Sequence, residues 1–384
     1  MNDAVNATRD AAAPSTSPSP PPSASPMPES VSIEVGLAGA TRAHTSSICE
    51  RSDCFASLVR ARADDHKTIV LAVTNEGFVG FWRNLRCSMD ALGVSRHAIV
   101  VGTDRAACEA AESPAVPCVV GDGVFWGEAA QAELERGKLK HGTAAYARLM
   151  HLKARPALDA LRLGYNVLFT DTDVVWLRNP LAELRAAYRG AMADGSVDLL
   201  IQSDHDESND AACTEHSECR RSHWCREKPT YVNGNDHKCE VEVCGGFWWL
   251  RASAAGEALL DGMFAQMEVM RKQDERIGEQ PVLNFVLHRT PGLRWRVLPR
   301  DEYPNGASYF VRRKWPAALP VIVHNNWLAG YKKKRARFER HGMWLLGPND
   351  APECVEAAIA PPSAAQFDAI LLHVNPKEYG FVFK

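Results

Sequence analysis

Two aspartates, Asp171 and Asp173, stand at the end of an apolar run, Val167 to Phe169. Such a run reads as a buried strand, and residues two apart on an extended strand point the same way. The two carboxylates are therefore expected to converge on one point, with Thr172 turned elsewhere. Open α/β sheets bind their ligands at the carboxyl ends of their strands. Two hard oxygen ligands there suit Mg²⁺ or Mn²⁺, and such an ion usually completes its shell with substrate phosphates. An acidic pair at a strand end can also do no more than cap a loop, because Asp-x-Asp by itself is common.

Other segments carry residues that could serve the same chemistry. Met150 to Ala160 holds Lys153, which is either a solvated helix residue or, if its helix runs toward the strand-end cleft, a charge that neutralises a phosphate. Arg148 is a second candidate for that work. Glu279, Gln280 and Asn284 fall on a short helical stretch, with Gln280 and Asn284 sharing a face. The same residues also fit a capping cluster before an amphipathic helix. His324 directly follows the last apolar strand and is either an additional metal ligand or a hydrogen-bonded structural histidine. The basic run Lys332, Lys333, Lys334, Arg335 and Arg337 reads as a solvated helix face whose first members, Lys332 foremost, are placed to meet a diphosphate.

The elements that must position these groups alternate in type. Short apolar runs at 67–74, 97–102, 117–120, 197–202, 245–250 and 319–324 predict strands. Helical spacing covers 75–92, where Phe78, Phe81, Trp82, Leu85 and Met89 read as core, then 130–163, 256–272 and 280–288. Alternating strands and helices predict an α/β fold with a mostly parallel sheet covered on both faces. Residues 64–347 read as one domain, 1–63 as an Ala/Pro/Ser-rich tail or stalk that cannot build a core, and 348–384 as a C-terminal extension.

Composition narrows the function classes. A net charge of −3 gives no electrostatic footprint for nucleic acid. No stretch approaches the roughly 18 apolar residues of a membrane span, and the first residues lack the basic and apolar regions of a signal peptide. Cysteine is abundant, and Cys213, Cys219, Cys225, Cys239 and Cys244 crowd about a polar insertion at about 204–242. Their spacing lacks the paired pattern of zinc ribbons, but His205, His216, His223 and His237 among them keep a structural zinc open. Disulfides bracing a long loop are the other reading and imply an oxidising lumen. That conflicts with the missing signal sequence, so either the N-terminus is incomplete or the cysteines are reduced.

The ordered segments LGYNVLFTDTDVVWLRNP, CGGFWWLRAS, EQPVLNFVL and HNNWLAG together resemble the plant and algal nucleotide-diphospho-sugar transferases, glycosyltransferase family 77. That family includes the rhamnogalacturonan II xylosyltransferases and extensin arabinosyltransferases. The resemblance runs from Lys67 to Trp344. It implies a GT-A fold, a nucleotide-sugar donor, a Mn²⁺ (or Mg²⁺) cofactor, a glycan or glycoprotein acceptor, retention of anomeric configuration and residence in the Golgi lumen. Residue by residue, it implies metal binding by Asp171 and Asp173, joined by His324. It also implies seating of the nucleotide sugar at Thr74, Asn75, Lys153 and Asp171, and a catalytic or positioning role for Gln280. Glu279 stands where the family has aspartate, and the glycine after His324 is spaced differently.

In such a reaction the metal stabilises charge developing on the leaving diphosphate. An amide is no nucleophile, so Gln280 would position the donor while the acceptor attacks on the leaving-group face. If a covalent intermediate forms, Glu279 is the carboxylate to supply it. Two other readings stay open. A haloacid-dehalogenase-type phosphatase would use Asp171 as nucleophile, though its motif normally opens the domain. A catalytically silent protein would bind sugar nucleotides only.

Overall fold

The computed structural model describes residues 48–121, 124–125, 142–204, 242–311, 319–350 and 353–355. Strands come first where β-branched and apolar residues run together. β1 (Ile48–Cys49), β2 (Thr68–Thr74), β3 (Ala98–Gly102), β4 (Cys118–Val120), β5 (Asn166–Thr170), β7 (Leu199–Ser203), β8 (Val243–Leu250) and β9 (Trp295–Val297) form one sheet in the order β1-β4-β3-β2-β5-β8-β7-β9. Among these strands only β8 runs antiparallel to its neighbours, pairing so with both β5 and β7. The remaining pairs are parallel, so the expected α/β class with a mostly parallel sheet is the one observed. A second, two-stranded sheet pairs β6 (Val174–Trp176) with β10 (Ile322–His324), antiparallel.

Alternation along the central strands divides the core. Ile69, Leu71, Val167 and Phe169 face one apolar cluster, which includes Ala157, Leu158 and Leu161 of α5 (Arg155–Arg162). It also takes Leu259 and Met263 of α7 (Ala254–Arg271) and Val282 and Leu283 of α8 (Glu279–Leu287). Val70, Ala72 and Leu168 face the other cluster, with Trp82 and Leu85 of α2 (Val79–Ala91), Cys108 of α3 (Arg105–Ala111) and Leu181 of α6 (Pro180–Ala193). A third cluster joins Val175 and Val323 to Phe81, to Phe338 of α9 (Tyr331–Arg340), and to Trp344. α4 (Ala144–Leu152) is capped by the Thr143 hydroxyl and meets α5 at Lys153 and Ala154.

Two expectations are revised. The folded chain begins before Asp64, since β1 and α1 (Ser52–Arg62) lie in the segment read as tail, with Phe55 and Val59 buried. It also continues past 347: Cys354 is disulfide-bonded to Cys87, and Asp350 pairs with Arg335. Asn179 accepts the Ala182 N–H and Pro180 opens α6, because proline at the first helical position costs no hydrogen bond.

The described cysteines form the pairs Cys49–Cys54, Cys87–Cys354 and Cys108–Cys118, while Cys244 is a free, buried thiol on β8 rather than part of the insertion. Cys213, Cys219, Cys225, Cys239 and the histidines among them lie outside the described residues. Among the described residues no helix is long and apolar enough to cross a membrane.

Candidate metal and nucleotide-sugar site

Strand register places the first carboxylate. Thr170, the last residue of β5, pairs with Phe247 of β8, and the next residue, Asp171, donates its N–H to the Gly246 carbonyl at 2.7 Å. The acidic pair does not sit on one continuous strand, as alternation predicted. β5 stops at Thr170, residues 171–173 turn, and β6 starts at Val174. The break exists because β6 leaves the large sheet to pair with β10. That pairing sets His324 opposite Val174, and the Asn325 N–H donates to the Asp173 carbonyl at 2.8 Å. Two different sheets therefore deliver the three side chains to one point.

One ligand atom each from Asp171, Asp173 and His324 lies within 4.8 Å of the other two. His324 Nε2 is 3.5 Å from Asp173 Oδ1 and 3.9 Å from Asp171 Oδ2. Gly246 leaves the room they share: a Cβ there would lie 2.7 Å from Asp171 Oδ2 and 2.9 Å from His324 Nε2. Two carboxylates and an imidazole around such a space fit a divalent cation with mixed oxygen and nitrogen ligands.

Lysines border the acids. Lys153, buried at the α4–α5 junction, lies 3.1 Å from Asp171 Oδ1 and also pairs with Glu279. Burial works against its charge, but Asp171 and Glu279 beside it hold the ammonium above its ordinary value. Lys334 of α9 pairs with Asp173. Burial alone would push the Asp173 carboxyl up, yet Lys334 and His324 hold it below the usual carboxylate range. Asp171 is pushed up by burial and by Asp173, against the pull of Lys153.

Gln280 directly follows Glu279 on α8. Its amide donates to Asp204 Oδ2 at 2.7 Å, and its oxygen accepts the Gly245 N–H at 3.3 Å. Asp204 Oδ1 also accepts from Asn326 at 3.2 Å and from the Trp327 indole at 3.0 Å. Asn284, on the same helix face, bonds both backbone groups of Val243 and so fixes where β8 begins against α8.

Residues 93–338 match the family model described as nucleotide-diphospho-sugar transferase, about two thirds of the chain. The chain belongs to the nucleotide-diphospho-sugar transferase family. Among curated relatives, it is 28% identical over 214 residues to UDP-D-xylose:L-fucose alpha-1,3-D-xylosyltransferase 3 of Arabidopsis thaliana, covering 54% of this chain and 50% of that one. It is 23% identical over 228 residues to UDP-galactose:fucoside alpha-3-galactosyltransferase of Dictyostelium discoideum, covering 55% and 30%. The chain thus spans half or less of the length of these two relatives. A solved structure of the galactosyltransferase LgtC, crystallised with donor and acceptor sugar analogs, aligns at 12% identity and a TM-score of 0.40, covering 66% of this chain and 86% of that one.

Within this nucleotide-diphospho-sugar transferase, the structure gathers Asp171, Asp173, His324, Lys153, Glu279 and Gln280. Thr74 and Asn75 are buried at the carboxyl end of β2, along the same sheet edge, since Leu71 of β2 pairs with Phe169 of β5. Arg148 is half-buried on α4. Lys332 is not the lysine turned to the acids: it is exposed, and Lys334 takes that place. Helix phase decides this, because Tyr331, Lys334, Arg335 and Phe338 follow the spacing of one packed face. That spacing was available in the sequence and would have singled out Lys334. Gln202, Asp204 and Gly246 also escaped notice. A glutamine inside an otherwise apolar strand is the signal that could have flagged the first.

Proposed function

We propose that the chain is a metal-dependent, retaining glycosyltransferase that moves a pentose or hexose from a UDP-linked donor to a glycan or glycoprotein acceptor. The observation that carries this reading is the convergence of Asp171, Asp173 and His324 around the space left by Gly246, in a chain of this family. Mn²⁺ or Mg²⁺ bound by these ligands would supply positive charge to the departing diphosphate. Lys334 pairs with Asp173 and is the residue to meet the phosphates once it releases that carboxylate. Lys153 holds Asp171 and Glu279 in place from the buried side.

The bond between the anomeric carbon and the phosphate oxygen breaks with its electron pair on the diphosphate. The acceptor hydroxyl forms the new bond on that same face and passes its proton to the departing oxygen. Gln280 does not supply a nucleophile, and Glu279 is held by Lys153, which favours direct same-face attack over a covalent intermediate. Gln280, fixed by Asp204 and Gly245, is a positioning group for the sugar.

The UDP donor is supported by the activities for which the relatives are named, and their fucose-type acceptors make a fucoside the first acceptor to test. Three disulfides among the described residues favour an oxidising lumen such as the Golgi. The test is a panel of nucleotide sugars with Mn²⁺, scored for release of the nucleoside diphosphate. Turnover of a UDP-sugar, abolished by chelation, is expected. Release of phosphate from generic phosphate esters without sugar-nucleotide turnover would instead favour a phosphatase.

A further inference from the structure

Gln202 lies at the centre of a short hydrogen-bond chain that ends on the metal-facing histidine. Its side-chain nitrogen donates to the carbonyls of Tyr303 and Pro304, both at 3.1 Å. Carbonyls only accept, so the amide nitrogen must face them and the amide oxygen must face the other way. That oxygen lies 2.8 Å from His324 Nδ1. An amide oxygen also only accepts, so Nδ1 must carry a hydrogen. Gln202 is wholly buried and His324 nearly so, which holds both side chains in this arrangement. The other ring nitrogen, Nε2, is the one aimed at Asp171 and Asp173.

We infer that Gln202 is a positioning residue that locks His324 in the tautomer whose Nε2 lone pair faces the cation. Two backbone carbonyls orient the amide, the amide orients the imidazole, and the imidazole completes the ligand set. Groups in this place tune metal sites by fixing the ring and its proton. The Cys244 thiol, 3.5 Å from Nδ1, does not replace the amide, because sulfur is a weak acceptor and the amide oxygen lies closer, at 2.8 Å. The inference rests on the reading that Asp171, Asp173 and His324 hold a divalent ion.

The test uses Mn²⁺ alone, with the full chain and no sugar nucleotide. Pulsed electron paramagnetic resonance of the Mn²⁺-loaded wild type should show coupling to an imidazole nitrogen that His324→Ala removes. Gln202→Met should weaken Mn²⁺ binding about 10- to 100-fold and diminish that coupling. In the His324→Ala background, Gln202→Met should change Mn²⁺ affinity by less than about twofold, since the two act as one unit. Equal Mn²⁺ affinity in wild type and Gln202→Met, or equal losses with and without His324, would overturn the role of Gln202 alone. A wild type that binds no Mn²⁺ would overturn the metal site itself.

Discussion

Asp171 and Gly246 meet twice: the Asp171 N–H bonds the Gly246 carbonyl at 2.7 Å, and a Cβ on Gly246 would stand 2.7 Å from Asp171 Oδ2. The first contact is strand pairing and the second is the room for a ligand. Gly246→Ala is therefore expected to cost about 1–3 kcal/mol of stability through overpacking and to weaken Mn²⁺ binding at least about tenfold, since one tenfold step is only about 1.4 kcal/mol. Gly245→Ala is the control. Its Cβ would come no nearer than 3.2 Å, to the end of the Glu279 side chain, and should leave Mn²⁺ affinity nearly unchanged. Calorimetric titration of the two variants checks this.

Lys334 pairs with Asp173, a carboxylate that a cation would also claim. Lys334→Met removes that competitor, so Mn²⁺ alone should bind more tightly, while UDP affinity in the presence of Mn²⁺ should fall about tenfold through loss of a charged phosphate partner. Lys332→Met, on the exposed face, should alter neither by more than about twofold. Equal effects of the two variants would show that α9 does not present Lys334 to the donor.

Asp204 accepts from Gln280, Asn326 and Trp327 at once. Asp204→Leu leaves those half-buried donors facing an apolar side chain, and a donor fully deprived of an acceptor costs about 1–3 kcal/mol. A loss of about 3 kcal/mol in denaturant unfolding is expected. Donor hydrolysis should fall with Mn²⁺ affinity unchanged, because none of these groups is a metal ligand.

Tyr331 anchors the start of α9 against Phe81, and its hydroxyl donates to Asp350 at 3.2 Å. Burial, reinforced by Asp350, pushes its phenol up from the ordinary 10.0 to about 12. Because the folded value is raised, the associated stability is fully present below pH 10.0 and is lost as pH rises through about 12. Tyr331→Phe should make the fall in stability across that alkaline window shallower. Thermal melts at stepped pH read this directly, and an unaltered slope would contradict it.

Much of this was legible in the chain. The apolar runs gave β2, β3, β4, β5 and β7 nearly to their ends, because buried strands select β-branched residues whatever their partners. The acidic pair, His324, Lys153 and Gln280 were visible as residue types beside strand and helix ends. What was not legible depends on pairing between distant segments. The β6–β10 ladder breaks the strand at Asp171 and brings His324 to Asp173, and local sequence does not specify it. The Cys87–Cys354 bond joins segments separated by 267 residues, and connectivity does not follow from spacing. β1 and α1 follow a long low-complexity stretch and β1 is only two residues long, so neither stood out, although Phe55, Leu58 and Val59 carry a helical face.

The central claim is that Asp171 and Asp173 hold the cation through which a sugar nucleotide is used. The most direct measurement is UDP release from the preferred UDP-sugar as Mn²⁺ is titrated, comparing the wild type with an Asp171→Asn, Asp173→Asn double variant shown by its melting curve to be folded. The wild type should saturate with Mn²⁺ and the double variant should stay at the chelated background at every concentration. Wild-type turnover in the double variant would contradict the account.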